Sequence, residues 1–169
     1  MKLERPDKIA ICFVDGDKKR TEDQINQLSG VENIFNVEWI KRYEIFSGPY
    51  ISFSQIINEC VINSESEFMV FINPKTIVSA EDISTIINDL CNGFAFSSIC
   101  SFGFWGVTKE LFRQVGMMDE RFIGGEYEDN DFALRIKQLD VAVNWRFILS
   151  KYPWSPYTKK PAIKHITKT

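Results

Sequence analysis

The chain has 169 residues, 44% hydrophobic and 25% charged, and its 20 Lys and Arg against 23 Asp and Glu leave a formal charge of −3. These values describe a folded domain with room for one real core, which excludes a disordered, collagenous or coiled-coil chain. No stretch approaches the roughly 20 apolar residues of a membrane span, and the basic stripe of a nucleic-acid binder is missing. Residues 8–14 (KIAICFV) read as a short buried strand ended by the turn Asp15-Gly16-Asp17. Thr21-Glu22-Asp23-Gln24 has capping-box form and Gly30 marks a stop, which predicts a helix over 21–29. Residues 34–40 predict a second strand, and Gly48-Pro49 a loop. Ser52-Phe53-Ser54-Gln55 opens a helix whose apolar positions Phe53, Ile56, Ile57, Cys60 and Val61 follow helical spacing.

Residues 67–72 (EFMVFI) form a third expected strand, stopped by Asn73-Pro74. Ser79-Ala80-Glu81-Asp82 caps a helix carrying Ile83, Ile86, Ile87 and Leu90 and ending near Gly93. Residues 94–107 are strand-like, with Gly103 and Gly106 marking bends or close backbone approach. A short helix over 108–115 stops at Gly116, and Gly124-Gly125 precedes a helix over about 127–139. Val141, Val143, Trp145, Phe147 and Leu149 then alternate as a half-buried strand does. The expected domain is therefore 1–150, followed by an irregular basic tail over 151–169 with Pro153, Pro156 and Pro161. The opening residues 1–7 hold no apolar signal region, so a cytoplasmic protein is expected.

Strands alternating with helices predict an α/β fold: a mixed, mostly parallel sheet flanked by helices. Ligands of such sheets bind beyond the carboxyl ends of the strands, which puts residues 15–17, 73–76 and 124–131 on one rim. Four dispersed cysteines, Cys12, Cys60, Cys91 and Cys100, with no C-x-x-C pair and one histidine, His165, read as buried thiols rather than a zinc site. Asp119, Glu120, Glu126, Glu128, Asp129 and Asp131 make an acidic stretch broken by Arg121 alone. Glu128 and Asp129 fall at a helix start, where the dipole favours the ionised carboxylate a general base needs. On spacing alone, a solvated acid-rich helix start is the favoured account of them. Asp131 and Arg135 are four apart and placed to pair. Among the large aromatics, the apolar alternation assigns Trp145 to the core. Trp154 and Tyr157, in the Pro-rich tail, are the acceptor-stacking candidates.

Gly106-Val107-Thr108-Lys109-Glu110-Leu111-Phe112, then Val115-Gly116-Met117-Met118-Asp119-Glu120-Arg121-Phe122, then Glu128-Asp129-Asn130-Asp131-Phe132-Ala133-Leu134-Arg135 resemble the second half of a family 2 GT-A glycosyltransferase. The last segment is also similar to the GGED-x-D stretch of galactosyltransferase carboxyl-terminal regions. Upstream, Phe53-Ser54, Asn58 and Phe71-Ile72-Asn73-Pro74-Lys75-Thr76 resemble the rhamnosyltransferase-like branch. The resemblance spans about residues 52–140.

It implies a GT-A (nucleotide-diphospho-sugar transferase-like) fold, a nucleotide-sugar donor and a glycan or other hydroxyl acceptor. It further implies an inverting transfer with Asp129 as base, Glu128 contacting the acceptor, and Asp131 with Arg135 as support. Asp15 and Glu38 occupy roughly the places from which relatives hold the nucleotide, and Asn73 and Lys75 those that face the donor diphosphate. Relatives supply Mn or Mg through an aspartate where this chain has Lys75, and a histidine near the position of His165 completes their metal site. A protonated lysine repels a metal rather than ligating it. Two accounts follow: Lys75 replaces the metal as a fixed cation, making the enzyme metal-independent, or the chain is a catalytically inactive sugar- or nucleotide-binding module. Missing acceptor-side elements point to a possible homo-oligomer or partner.

Overall fold

A computed structural model describes residues 3–45, 52–73, 75–122, 127–146, 148 and 151. Six strands form one sheet: β1 (Lys8–Phe13), β2 (Asn36–Lys41), β3 (Phe68–Ile72), β4 (Phe96–Ser98), β5 (Phe104–Thr108) and β6 (Val143–Asn144), in the order β2-β1-β3-β5-β4-β6. β1 pairs in parallel with β2 and β3, β4 with β6, and β5 alone runs against its neighbours β3 and β4. The expectation of a mixed, mostly parallel α/β sheet is met. The helices are α1 (Lys18–Gln27), α2 (Arg42–Ile45), α3 (Phe53–Asn63), α4 (Ala80–Cys91), α5 (Lys109–Val115) and α6 (Glu128–Lys137).

Strand alternation divides the core into two layers. Ile9, Ile11, Phe13, Val70 and Ile72 pack with Ile83, Ile86, Ile87 and Leu90 of α4 on one face. Ala10, Cys12, Met69, Phe71, Trp105 and Val107 pack with residues of α3, α5 and α6 on the other. Each large aliphatic side chain fully removed from water contributes about 1.5–3 kcal/mol, so these two layers dominate stability. On α4, a Cβ at Gly106 would lie 2.2 Å from Ile86 Cγ2, so the helix seats this deeply only because residue 106 is glycine.

The capping signals at Ser52 and Ser79 are realised as capping boxes with Gln55 and Asp82. Three expectations change. α1 begins at Lys18, because Asp17 accepts the Arg20 backbone N–H and caps the helix, while Thr21 is buried inside it. The strand-like stretch 94–107 is two antiparallel strands, folded back through Ile99–Gly103, where Ser101 takes φ 48°. Among the described residues, the alternating segment after residue 140 forms strand only at Val143 and Asn144, with single backbone bonds linking Ala142, Arg146 and Ile148 to Ala95, Ser101 and Ile99. Phe147 and Leu149 lie outside the described residues, as does the tail beyond Lys151. Lys151 itself is tied to the body, through its carbonyl to the Ile77 N–H and its ammonium to Asp82. No helix among the described residues is long and apolar enough to cross a membrane.

Cys12, Cys60 and Cys100 are buried and Cys91 half-buried, all as free thiols. Burial, and next the neighbouring Cys60 thiol, push the Cys12 thiol well above its ordinary range. It packs in the core layer that faces α3.

Candidate active site

Because β5 opposes β3, pairing sets Phe104 beside Ile72, and the Ile99–Gly103 turn emerges at the carboxyl rim of the parallel strands. Hydrogen bonds weld it there: the Asn73 N–H donates to the Gly103 carbonyl at 2.8 Å, and the Thr76 hydroxyl donates to the same oxygen at 2.9 Å. β6 ends at the same rim and delivers Trp145.

α6 reaches this rim along a supported path. The Asn58 amide of α3 is buried, donates to the Met118 carbonyl and the Glu120 carboxylate, and accepts the Met118 N–H. That fixes the segment leading towards α6. From the other side, Arg135 donates to Asp131 at 2.9 Å and to the Val115 carbonyl at 3.0 Å, with its guanidinium over the Phe132 ring. The expected Asp131–Arg135 pair is present and clamps the first turn of α6 to α5.

Tyr127 precedes α6 with φ 72° and ψ −6°, a left-handed conformation, and an exposed ring. A non-glycine residue there costs roughly 1–3 kcal/mol, and such strain collects at functional sites. Glu128 follows, buried, and then Asp129, half-exposed, with Oδ1 accepting the Asn130 N–H at 2.7 Å. With Asp131 they put three carboxylates on the first turn, which the helix dipole favours.

Asp129, Asn130, Ala133 and Lys137 line one wall of an open cleft of about 200 Å³; Ser101, Phe102 and Trp145 line the other. Phe102 and Trp145 meet edge-on at 5.4 Å, and both are half-buried. The core reading of Trp145 is thus half right: one part packs on Phe96 at 4.2 Å, and the rest faces the cleft. Sequence reasoning also passed over Ser101, Phe102 and Lys137. Helical spacing links 129, 133 and 137, but only the β4–β5 reversal brings Phe102 opposite.

The donor-side candidates separate. Asn73 Oδ1 accepts the Lys75 N–H at 3.1 Å, closing an Asx turn that holds Lys75, exposed, on the rim. Asp15 stands at the end of β1, its Oδ1 accepting the Asp17 N–H and its Oδ2 3.2 Å from the Arg20 guanidinium. Glu38 lies elsewhere. Its carboxylate accepts from the Ser64 and Ser66 hydroxyls and the Glu65 and Ser66 N–H groups, tying β2 to the turn before β3 at the amino-terminal side of the sheet. Burial would raise its pKa, but the Ser66 hydroxyl, the Glu65 N–H, the Ser64 hydroxyl and Lys8 together hold it below the ordinary 4.5. Glu38 therefore sits apart from the nucleotide-binding rim expected of it. Trp154, Tyr157, His165 and Gly124-Gly125 lie outside the described residues.

No known family profile matches the chain, and no curated protein matches it in sequence. Solved structures do. The catalytic domain of Drosophila β1,4-galactosyltransferase 7, in complex with xylobiose, superposes with a TM-score of 0.64 at 12% identity, covering 94% of this chain and 76% of that one. A mannosyltransferase from Pyrobaculum calidifontis, bound to GDP-Man and Mn2+, gives 0.57 at 8% identity over 86% of this chain and 57% of that one. Glucosyl-3-phosphoglycerate synthase from Mycobacterium tuberculosis, with Mn2+ and UDP, gives 0.56 at 10% identity over 82% and 70%. The fold is GT-A.

Two of these structures hold manganese. A hard divalent ion needs several anionic or carbonyl oxygens converging on one point. Here Asn73 Oδ1 is engaged with the Lys75 N–H, and residue 75 carries an ammonium. Among the described residues no three His, Cys, Asp or Glu side chains converge. The described rim does not fit a divalent ion.

Proposed function

We propose that this chain is an inverting glycosyltransferase that moves a hexose from a nucleotide-sugar donor to an acceptor hydroxyl. The observation that carries the reading is the Asp129 carboxylate lining an open, aromatic-walled cleft at the carboxyl rim. The cleft adjoins the Lys75 rim through the Gly103–Asn73 hydrogen bond.

In this reading the acceptor lies against α6 with its hydroxyl at Asp129. The carboxylate takes the hydroxyl proton as the acceptor oxygen bonds to the anomeric carbon from the face opposite the leaving group. The bond to the nucleoside diphosphate breaks with its electron pair, and the configuration inverts. Negative charge then grows on the diphosphate, and the Lys75 ammonium is the cation available to it. The Asp131–Arg135 clamp holds the helix start in register, and Asp15 faces the donor from the end of β1. Glu38 has no part in donor binding.

A second reading, a GT-A-fold sugar- or nucleotide-binding module without turnover, draws on the internal engagement of Asp15 and on the misfit of the rim to a metal. One experiment separates the two. A nucleotide-sugar panel is screened by thermal shift and then assayed for transfer, with and without chelator, for the wild type and Asp129→Asn. Transfer that survives chelation and falls by about 10²–10⁴-fold in Asp129→Asn, with donor affinity retained, supports the enzyme. Donor binding without turnover in both proteins supports the module.

A further inference from the structure

The cleft beside α6 carries a charge pattern that a neutral sugar does not require. Asp129, Ala133 and Lys137 are spaced four apart, so they stand in one row on the cleft wall, with Asn130 beside them. Asp129 and Lys137 are eight residues apart, about 12 Å along the axis. Helical side chains lean towards the amino end, so the long lysine covers the turn around Ala133 and closes much of that distance. Ala133 itself leaves the middle of the row open. The volume of about 200 Å³ is below that of drug-sized sites and suits one sugar ring. Phe102 and Trp145, set edge to face, supply the apolar wall against which such a ring packs.

Lys137 is the cation of this cleft, is exposed, and makes no ion pair or hydrogen bond among the described residues. Other cations of the carboxyl-terminal half are already engaged: Arg121 with Asp119, Arg135 with Asp131, Arg146 with Asp89, and Lys151 with Asp82. One end of the cleft thus offers a carboxylate to a neutral hydroxyl, and the other an uncommitted ammonium.

We infer that the cleft binds an acidic sugar: a single pyranose packed against Phe102 and Trp145, whose carboxylate or phosphate substituent meets Lys137 while a hydroxyl meets Asp129. The inference rests on the acceptor position proposed above, and it names the acceptor class. Asp129 repels an anion, so the anionic group binds only in the orientation that keeps it at the Lys137 end. Lys137 thereby selects which hydroxyl reaches the base.

The test is a ligand-observed NMR titration of the full chain at low ionic strength. The probes are methyl β-glucuronide, glucose 6-phosphate and methyl β-glucoside. The wild type is expected to bind one or both acidic sugars about three- to fivefold tighter than the neutral glycoside, the scale of an exposed ion pair. The two acidic arms tell carboxylate from phosphate. Lys137→Ala should equalise the three ligands and Lys137→Glu reverse the order, with melting curves showing both variants folded. Lys75→Ala should leave the preference intact, which separates this site from the donor rim. Equal binding of all three sugars by the wild type, or a preference that survives in Lys137→Ala, overturns the inference. Transfer is assayed separately. Lys137-dependent selectivity without any transfer defeats the enzymatic reading but not this one, and transfer without that selectivity does the reverse.

Discussion

The amino-terminal half of the chain and the start of α6 treat their charged groups in opposite ways. On the amino-terminal half the carboxylates are answered from within: Asp15 by Arg20 and the Asp17 N–H, Glu38 by four donors, and Glu22 by Tyr43 and Lys41. On the carboxyl-terminal half, Asp129 and Lys137 face an open cleft. A carboxylate held by several N–H and O–H groups serves the fold, because removing it leaves buried donors unsatisfied. One held by a single backbone N–H on a helix start is available to a ligand. The same residue type thus reads as architecture in one region and as chemistry in the other.

Substitutions can break or sharpen that contrast. The largest effect is expected from Glu38→Ala, which strands the Ser64 and Ser66 groups and should cost about 2 kcal/mol in chemical denaturation. Nucleotide-sugar affinity should not change; a specific loss of affinity would move Glu38 to the chemical side. The sign of its pH dependence follows. With a folded pKa below 4.5, Glu38 stabilises the fold fully above that value and loses the contribution as pH falls through the folded pKa. Glu38→Gln should therefore flatten the stability curve below about pH 5, read from melting temperatures in acid.

Next in size, Lys75→Ala should weaken donor binding by about tenfold, or roughly 1.4 kcal/mol, by calorimetric titration. An unchanged dissociation constant removes Lys75 from the diphosphate. Tyr127→Gly should stabilise the protein by about 0.5–1 kcal/mol, the left-handed strain relieved less the entropy glycine loses on folding. Transfer should fall at the same time if that strain sets the α6 start. The smallest effect is expected of Arg20→Ala, at most about 0.5 kcal/mol, since the pair with Asp15 lies near the surface.

Local signals in the sequence were legible where local chemistry decides. The Ser52 and Ser79 caps, the α4 stripe of Ile83, Ile86, Ile87 and Leu90, and the Asp131–Arg135 spacing all read directly into structure. Thr21 misled because Asp17, four residues earlier, offers a better-placed acceptor, and nothing local ranks two adjacent caps. The cleft was half legible. Asp129 comes from a motif, but Phe102 and Trp145 face it only because β5 turns back and β6 joins β4, and pairing between distant strands leaves no short-range mark. The bonding of Glu38 was hidden for the same reason, since its partners lie 26 to 28 residues away.

The turn before β5 hangs from a hairpin rather than from a crossover. Ile99 and Cys100 are buried in the layer against α4 and Gly103 holds Asn73 and Thr76, so it is the side chain of Ser101, bonded there only through its backbone, that can change while the ladder and both helix layers stay in place. Substitution at Ser101 and Phe102 is thus the economical route to reshaping this wall of the cleft, with Ile99, Cys100 and the Gly103 contacts to Asn73 and Thr76 as the fixed points any change must still meet.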